Sequence, residues 1–359
     1  MDNTLLSLTG MAVERGASDL HLSPGLPPRI RLHGDLQDLT DKPLTNQQTT
    51  EMMKLILAPE QQNEVTGPAG VADAARFFSG ERFRINIFKK RLPADEQEAQ
   101  GIAMVLRHLP NKIFSFQQLG LPPVIGSLLE YKRGGGIFLV TGPTGSGKTT
   151  TLASMVDYIN ANRAAHIITI EAPVEIVHQS KKSIVSQREM PIDTPSFKDA
   201  VRDALREDPD VILVGEMRDL ETISAAVSAA ETGHLVLATL HTNSAVDTID
   251  RIVDSFPANQ KEQIRTQLAM TVKAILSQAL VRKADQRGRV AAFELMITNH
   301  AIKNHIRQGD THRITSVIQT QGSKGMTLFD DSLRRLISRS VITLEEALRF
   351  ARSPEDFSS

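Results

Sequence analysis

The sequence has no cysteine, no tryptophan and only two tyrosines among its 359 residues. Without cysteine there is no disulfide, no thiolate nucleophile and no cysteine-ligated zinc. Aromatics amount to 4%, which leaves little for base-stacking platforms. A surplus of one charge is also missing: 41 Lys plus Arg stand against 42 Asp plus Glu, a net charge of −1. A channel that tracks phosphates draws on a basic surplus or stripe, so no nucleic-acid partner is expected. The longest apolar runs, such as GIFLV at 136–140 and HLVLATL at 234–240, fall far below the ~18 residues of a membrane span. No direct membrane insertion is therefore expected. The opening MDNTLLSLTG lacks a basic n-region and a long apolar h-region, which argues against a signal peptide. The expected location is cytoplasmic.

Apolar residues make up 40% and charged residues 23%, an ordinary globular balance with enough chain for two or three domains. Residues 1–110 suggest a small α+β unit. PRIRLHGDL (28–36) alternates, with Ile30 and Leu32 on one face, and predicts one strand. LTNQQTTEMMKLILAP (44–59) predicts a helix that stops at Pro59. ERFRINIF (81–88) predicts a strand with Phe83, Ile85 and Ile87 on one side and Arg82, Arg84 and Asn86 on the other. A polar stretch follows at 93–100, and LPNKIFSFQQLGLPP (109–123) has the Pro and Gly content of a linker. From 111 to 359, buried apolar strands alternate with helices, the pattern of a mainly parallel sheet covered on both faces. SFKDAVRDALRED (196–208) is one of those helices, capped by Ser196.

GPTGSGKTT (142–150) opens the chemistry. Gly142, Pro143, Thr144, Gly145, Ser146, Gly147, Lys148, Thr149 and Thr150 follow an apolar strand and start a helix. They fit the phosphate-binding pattern in full. Glycines are needed because backbone N–H groups must close around phosphates, where a Cβ would intrude. The helix N-terminus adds its positive dipole end. Lys148 can reach the β- and γ-phosphates, and the Thr149 hydroxyl can bind Mg²⁺. The implied ligands are ATP and Mg²⁺.

Such a loop needs a carboxylate at the end of a neighbouring strand. VILVGEMRD supplies Glu216, which can take a proton from water in line with the γ-phosphate or simply cap the strand end. ITIEAPVEIVH (168–178) adds Glu171 and Glu175, which can hold the metal through water, help position the nucleophile, or lie in a solvated loop. TLHT (239–242) ends a further strand with His241, either a γ-phosphate sensor or a histidine satisfied in the core.

Four motifs in this order, GPTGSGKTTT, ITIEAPVEIVH, LVGEMRDLETI with AAETGHLV, and TLHTNSAVDTIDRIVDSFP, resemble the secretion-ATPase superfamily, and within it the type IV pilus retraction ATPases (the PilT family). GASDLHLSPGLPPRIRLHGDL (16–36), RFRINIF (82–88), RGRVAAFELM (287–296) and AIKNHIRQ (301–308) extend the likeness over almost the whole chain. The resemblance implies a PAS-like N-terminal domain, a RecA-like P-loop motor domain with C-terminal helices, and a homo-hexameric ring. It implies ATP hydrolysis coupled to pilus disassembly, at the inner membrane through a platform protein. A paralogous pilus ATPase can share the work. By motif position it also implies arginines that complete the site: Arg82, Arg84, Arg251 and Arg289.

Three departures stand out. Ala172 replaces the family's usual Asp. AIKNHIRQ differs from AIRNLIRE and places a titratable His305 in a helix associated with retraction. KKRLPADEQEAQG (89–101) is longer and more acidic than the usual turn. Extension and type II secretion ATPases typically carry a longer N-terminal region and a four-cysteine zinc site; the absence of cysteine favours the retraction class. A nucleic-acid translocase and a nucleotide-gated scaffold that barely hydrolyses ATP are the rival classes.

Overall fold

The computed structural model describes residues 3–32, 34–92, 100–109, 112–130 and 135–357. The chain divides into two compact units, Met1–Lys112 and Ile113–Ser359.

The first unit runs α1 (Asn3–Glu14), β1 (Asp19–Leu22), β2 (Arg29–Leu32), β3 (Asp35–Asp38), α2 (Asn46–Ile56), α3 (Pro59–Thr66), β4 (Val71–Phe78), β5 (Glu81–Arg91) and β6 (Gln100–Leu109). Its strands form a six-stranded sheet in the order β3-β2-β1-β6-β5-β4, antiparallel throughout. One face buries Leu20, Ile30, Phe83, Ile85, Ile87 and Leu106, and helix residues such as Leu5, Met52 and Ile56 join the same core. Three local expectations change. PRIRLHGDL is a hairpin of β2 and β3 rather than one strand; it turns through Gly34 at φ +103°, a conformation open to glycine. Pro59 does not stop α2, which has already ended at Ile56. It opens α3, at a position where a missing N–H costs nothing. The polar stretch lies mostly at 93–99, outside the described residues.

The second unit begins with α4 (Phe116–Leu119) and α5 (Val124–Leu129), so the expected linker carries helix of its own. Ser115 and Gln118 form a capping box, and Gly120 closes the turn in the left-handed region. Phe116 stacks on Tyr158 at 4.9 Å between ring centroids. There follow β7 (Gly136–Thr141), α6 (Lys148–Asn162), β8 (His166–Glu171), β9 (Ile184–Glu189), α7 (Phe197–Ala204), β10 (Val211–Val214), α8 (Leu220–Glu231), β11 (Leu235–Leu240), α9 (Ala245–Asp254), α10 (Lys261–Thr271), β12 (Val272–Arg282) and β13 (Arg289–Ile297). The chain closes with α11 (His300–Gln308), α12 (Ile314–Thr320), α13 (Phe329–Ser338) and α14 (Leu344–Leu348). The seven-stranded sheet has the order β13-β12-β7-β11-β10-β8-β9. All its pairings are parallel except β12 with β13. Every residue of β7, β10 and β11 is buried, as expected for strands covered on both faces. The α/β class, the mainly parallel sheet and the C-terminal helices match the sequence expectation. Among the described residues, no helix is long and apolar enough to cross a membrane.

Because β7, β11, β10 and β8 run parallel as neighbours, their C-terminal ends meet at one edge of the sheet. Ligands of open α/β sheets bind at that edge, and here it carries Gly142, His241, Glu216 and Glu171.

Candidate nucleotide site

The loop between β7 and α6 reverses direction through three glycines with positive φ: Gly142 at +144°, Gly145 at +78° and Gly147 at +89°. Pro143, Thr144 and Gly145 are exposed, while Ser146 is buried. Helix α6 then presents its first-turn N–H groups and the positive end of its dipole. Lys148 folds over the loop, its Nζ donating to the carbonyls of Gly142 at 2.8 Å and Pro143 at 3.0 Å. Burial pulls the Lys148 ammonium below the usual lysine range, and the Glu216 carboxylate partly opposes that.

Strand β12 shapes the loop from beneath. The Gln278 side-chain amide donates to the Ser146 carbonyl at 2.7 Å, and its oxygen accepts from the Thr151 hydroxyl at 2.9 Å. Thr141 and Ser277 hydroxyls meet at 2.8 Å. Gly142 lies so close to this strand that a Cβ would sit 2.2 Å from the Gln278 carbonyl oxygen and 2.7 Å from Ser146 Oγ. Gly142→Ala should therefore distort the loop while leaving the sheet folded. With strain of roughly 1–3 kcal/mol, nucleotide affinity should drop by about 5- to 150-fold, measured with a fluorescent ATP analogue while circular dichroism stays unchanged. Unaltered affinity would mean that β12 yields and does not set the loop.

Opposite the loop, a cleft of about 760 Å³ is lined by Thr149, Glu171, Glu175, Glu216, His241 and Arg289, among others. Glu216 follows β10 and its side chain is 20% exposed. One oxygen, Oε1, accepts from Arg218 Nε at 2.6 Å and lies 3.2 Å from His241 Nε2. Burial pushes the Glu216 carboxyl upward. The Arg218 hydrogen bond and charge, with His241 and Lys148, outweigh burial and hold it below the usual glutamate range. Glu216 is thus ionised at neutral pH. His241 is 41% exposed at its side chain, which rules out the reading as a core histidine.

Glu171, at the end of β8, accepts from the Thr169 hydroxyl at 2.7 Å and from Gln187 Nε2 at 3.2 Å. Gln187 also donates to the Ile176 carbonyl at 2.9 Å and accepts the His178 N–H at 2.7 Å, which fixes the loop that carries Glu175. His178 lines the same cleft. Burial pushes its imidazole down to about 4, so the ring is neutral at physiological pH. Ala172 lines the cleft beside Glu171.

Of the four arginines, only Arg289 lies in this cleft, brought there as the first residue of β13. Arg251 is exposed on α9, on the helix that ends at Asp254, and does not line the cleft. Arg82 and Arg84 belong to the first unit. They share a face of β5, but Arg82 is only 8% exposed, with its guanidinium 5.7 Å from the centroid of the Phe77 ring, whereas Arg84 is exposed. His305 sits half-buried on α11, and its Nδ1 is buried without a hydrogen-bond partner among the described residues.

Three residues escaped sequence reasoning. Arg218 stands two places after Glu216 in the same motif, so its charge beside the carboxylate was a readable signal. His178 closes the quoted ITIEAPVEIVH motif and was readable in the same way, whereas Gln278 carries no local signal. Among the described residues no three His, Cys, Asp or Glu side chains gather as a metal cage. Mg²⁺ keeps most of its waters and takes one or two protein oxygens, so the Thr149 hydroxyl and the Glu171 carboxylate in one cleft are a fitting donor set.

The Arg218 pair predicts a pH effect. Activity that needs ionised Glu216 is lost as pH falls through its pKa. Removing Arg218 removes the largest downward influence, so the pKa rises. The acid limb of kcat/KM should start at higher pH in Arg218→Ala than in the unaltered chain. An unmoved limb would mean that another group sets it.

The family model described as type II/IV secretion system protein matches residues 7–349. The type IV pilus retraction ATPase PilT of Pseudomonas aeruginosa is 44% identical over 98% of this chain and 99% of its own length. A twitching motility protein of Neisseria gonorrhoeae is 44% identical over 92% of this chain and 86% of its own. A crystal structure of the pilus retraction motor PilT with bound ADP superposes with a TM-score of 0.88 at 45% identity, covering 98% of both chains. A chain with this loop, this sheet edge and this extent of likeness belongs to the type II/IV secretion system protein family.

Proposed function

We propose that this chain hydrolyses ATP to drive type IV pilus retraction. The observation that carries the proposal is a single cleft in which a phosphate loop with Lys148 faces an ionised Glu216 and His241. The likeness to retraction ATPases along nearly the full chain supports the mechanical task.

The loop N–H groups bind the α- and β-phosphates, and Lys148 reaches the β- and γ-phosphates. Glu216 orients the attacking water and receives its proton. His241 stands against Glu216 and reports the γ-phosphate. Arg289 supplies a planar cation for charge developing on the transferred phosphoryl group. The Thr149 hydroxyl and the Glu171 carboxylate would hold a bound Mg²⁺, with Glu175 supporting them, and the ion would supply charge neutralisation of the phosphates. By motif position Arg82, Arg84 and Arg251 are further cations that complete the site in a homo-hexameric ring, each chain carrying a PAS-like domain at 1–110 and a RecA-like motor at 111–359. Loss of γ-phosphate contacts releases a rotation, as in other phosphate switches. The ring acts from the cytoplasm on an inner-membrane platform protein, alongside a paralogous ATPase where one exists.

The test is pilus display in cells deleted for this gene and complemented with the unaltered or Glu216→Gln chain. Excess pili that do not retract, corrected only by the unaltered chain, are expected. Loss of pili would make it an extension motor. Unchanged pili would make it an accessory motor or assign it another cargo.

A further inference from the structure

The end of the chain returns to the turn that carries His241. Glu294, on β13, is 2% exposed, and a carboxylate so buried needs charged or hydrogen-bonding partners. One of its oxygens accepts the N–H of Ala245, the first residue of α9, at 2.8 Å. The other is paired with Nη1 of Arg352. The same guanidinium donates through Nη2 to the carbonyl of Asn243. Arg352 is itself anchored. Its backbone N–H and that of Ser353 donate to the two oxygens of Asp330, each at 2.9 Å. Its guanidinium lies 5.3 Å from the centroid of the Phe329 ring.

Asn243 comes two residues after His241. The turn from 241 to 245 is thus held at both ends. His241 rests on Glu216 at 3.2 Å, while Asn243 and Ala245 rest on the Arg352–Glu294 pair. Between them Ser244 caps α9 by accepting the Asp247 N–H at 2.9 Å, and the Thr242 and Thr248 hydroxyls meet at 2.6 Å. Bridging a carboxylate and a carbonyl at once suits a planar fork of donors, which arginine has and lysine lacks.

We infer that Arg352 is a positioning residue for hydrolysis: with Glu294 it fixes the turn that presents His241 to Glu216. The inference rests on the ATPase function proposed above. Arg352→Ala should lower kcat about tenfold, the scale of a modest misplacement, with the KM for ATP held within about twofold. Arg352→Lys should recover only part of the loss. In a His241→Ala background Arg352→Ala should add nothing, because both changes act through the same group. Equal, independent losses in the two backgrounds would overturn the inference. Arg349, whose guanidinium pairs with Glu345 and Glu346, is the control from the same segment, and Arg349→Ala should leave kcat unchanged. If Arg352→Ala fails to fold, Glu294→Gln keeps an acceptor for Ala245 and breaks the ion pair, and it should show the same kcat loss. Hydrogen exchange at amides 243–248 of the nucleotide-free chain reads the clamp without catalysis. It should quicken in Arg352→Lys, and unchanged exchange would sink the clamp. A chain without ATPase activity would defeat the proposed function and leave the exchange measurement to judge the clamp alone.

Discussion

Glu216→Gln should bind ATP as tightly as the unaltered chain and hydrolyse it at least ~10²-fold more slowly, the usual scale for a general base. Glutamine has the same shape and keeps an oxygen toward Arg218 and His241, so the cleft is preserved. What it loses is the place for a proton. A carboxylate held low by Arg218 is a weak base in isolation. In a loose phosphoryl-transfer transition state little proton transfer has to precede cleavage, so a fixed, ionised acceptor that aligns the water is enough. Phosphate release in a single turnover, beside binding of a fluorescent ATP analogue, checks both halves. A fall in affinity as large as the fall in rate would recast Glu216 as an organiser of the binding site rather than a base.

Lys148→Ala should abolish detectable turnover and weaken ATP binding by at least ~10²-fold. Two charge-assisted contacts to phosphate oxygens are worth about 1.5–3 kcal/mol each. The loss has a second part, because Gly142 and Pro143 carbonyls take their hydrogen bonds from this ammonium. Calorimetric titration with ATP is the measurement. Retained affinity would mean that the loop N–H groups alone hold the triphosphate.

The legible parts of this protein are those written in local pattern. The glycines at 142, 145 and 147 are in the sequence because the backbone there adopts positive φ, and β7, β10 and β11 read as unbroken apolar runs because both faces are covered. The strand-end acids Glu171 and Glu216 and His241 followed from the parallel sheet alone. What stayed hidden depends on distant neighbours. Gln278 meets Ser146 across 132 positions, and Arg352 meets Glu294 across 58; no spacing rule connects them. Arg82 is buried and pairs in register with Phe77 of β4, a cross-strand neighbour that alternation within β5 cannot reveal. The short α4 hid inside a stretch of Pro and Gly because its signal is a capping box rather than a periodicity. The motif position of Arg251 does not say whether it serves its own chain's cleft, which it does not line, or that of a neighbouring chain.

The grip of Gln278 on the phosphate loop bears on how the site tells one nucleotide from another. A loop whose shape is enforced by β12 has no ordering penalty to charge to any ligand, and its N–H groups address the α- and β-phosphates, which ATP and ADP have in common. Apart from Lys148, the cradle is therefore blind to the difference between fuel and spent fuel. Discrimination falls to Lys148 and to the groups beyond the loop, where the half-buried Glu216 makes short contacts with the exposed side chains of His241 and Arg218. A rigid holder beside a soft reader lets the same pocket retain nucleotide throughout a cycle and change its state only when the third phosphate departs.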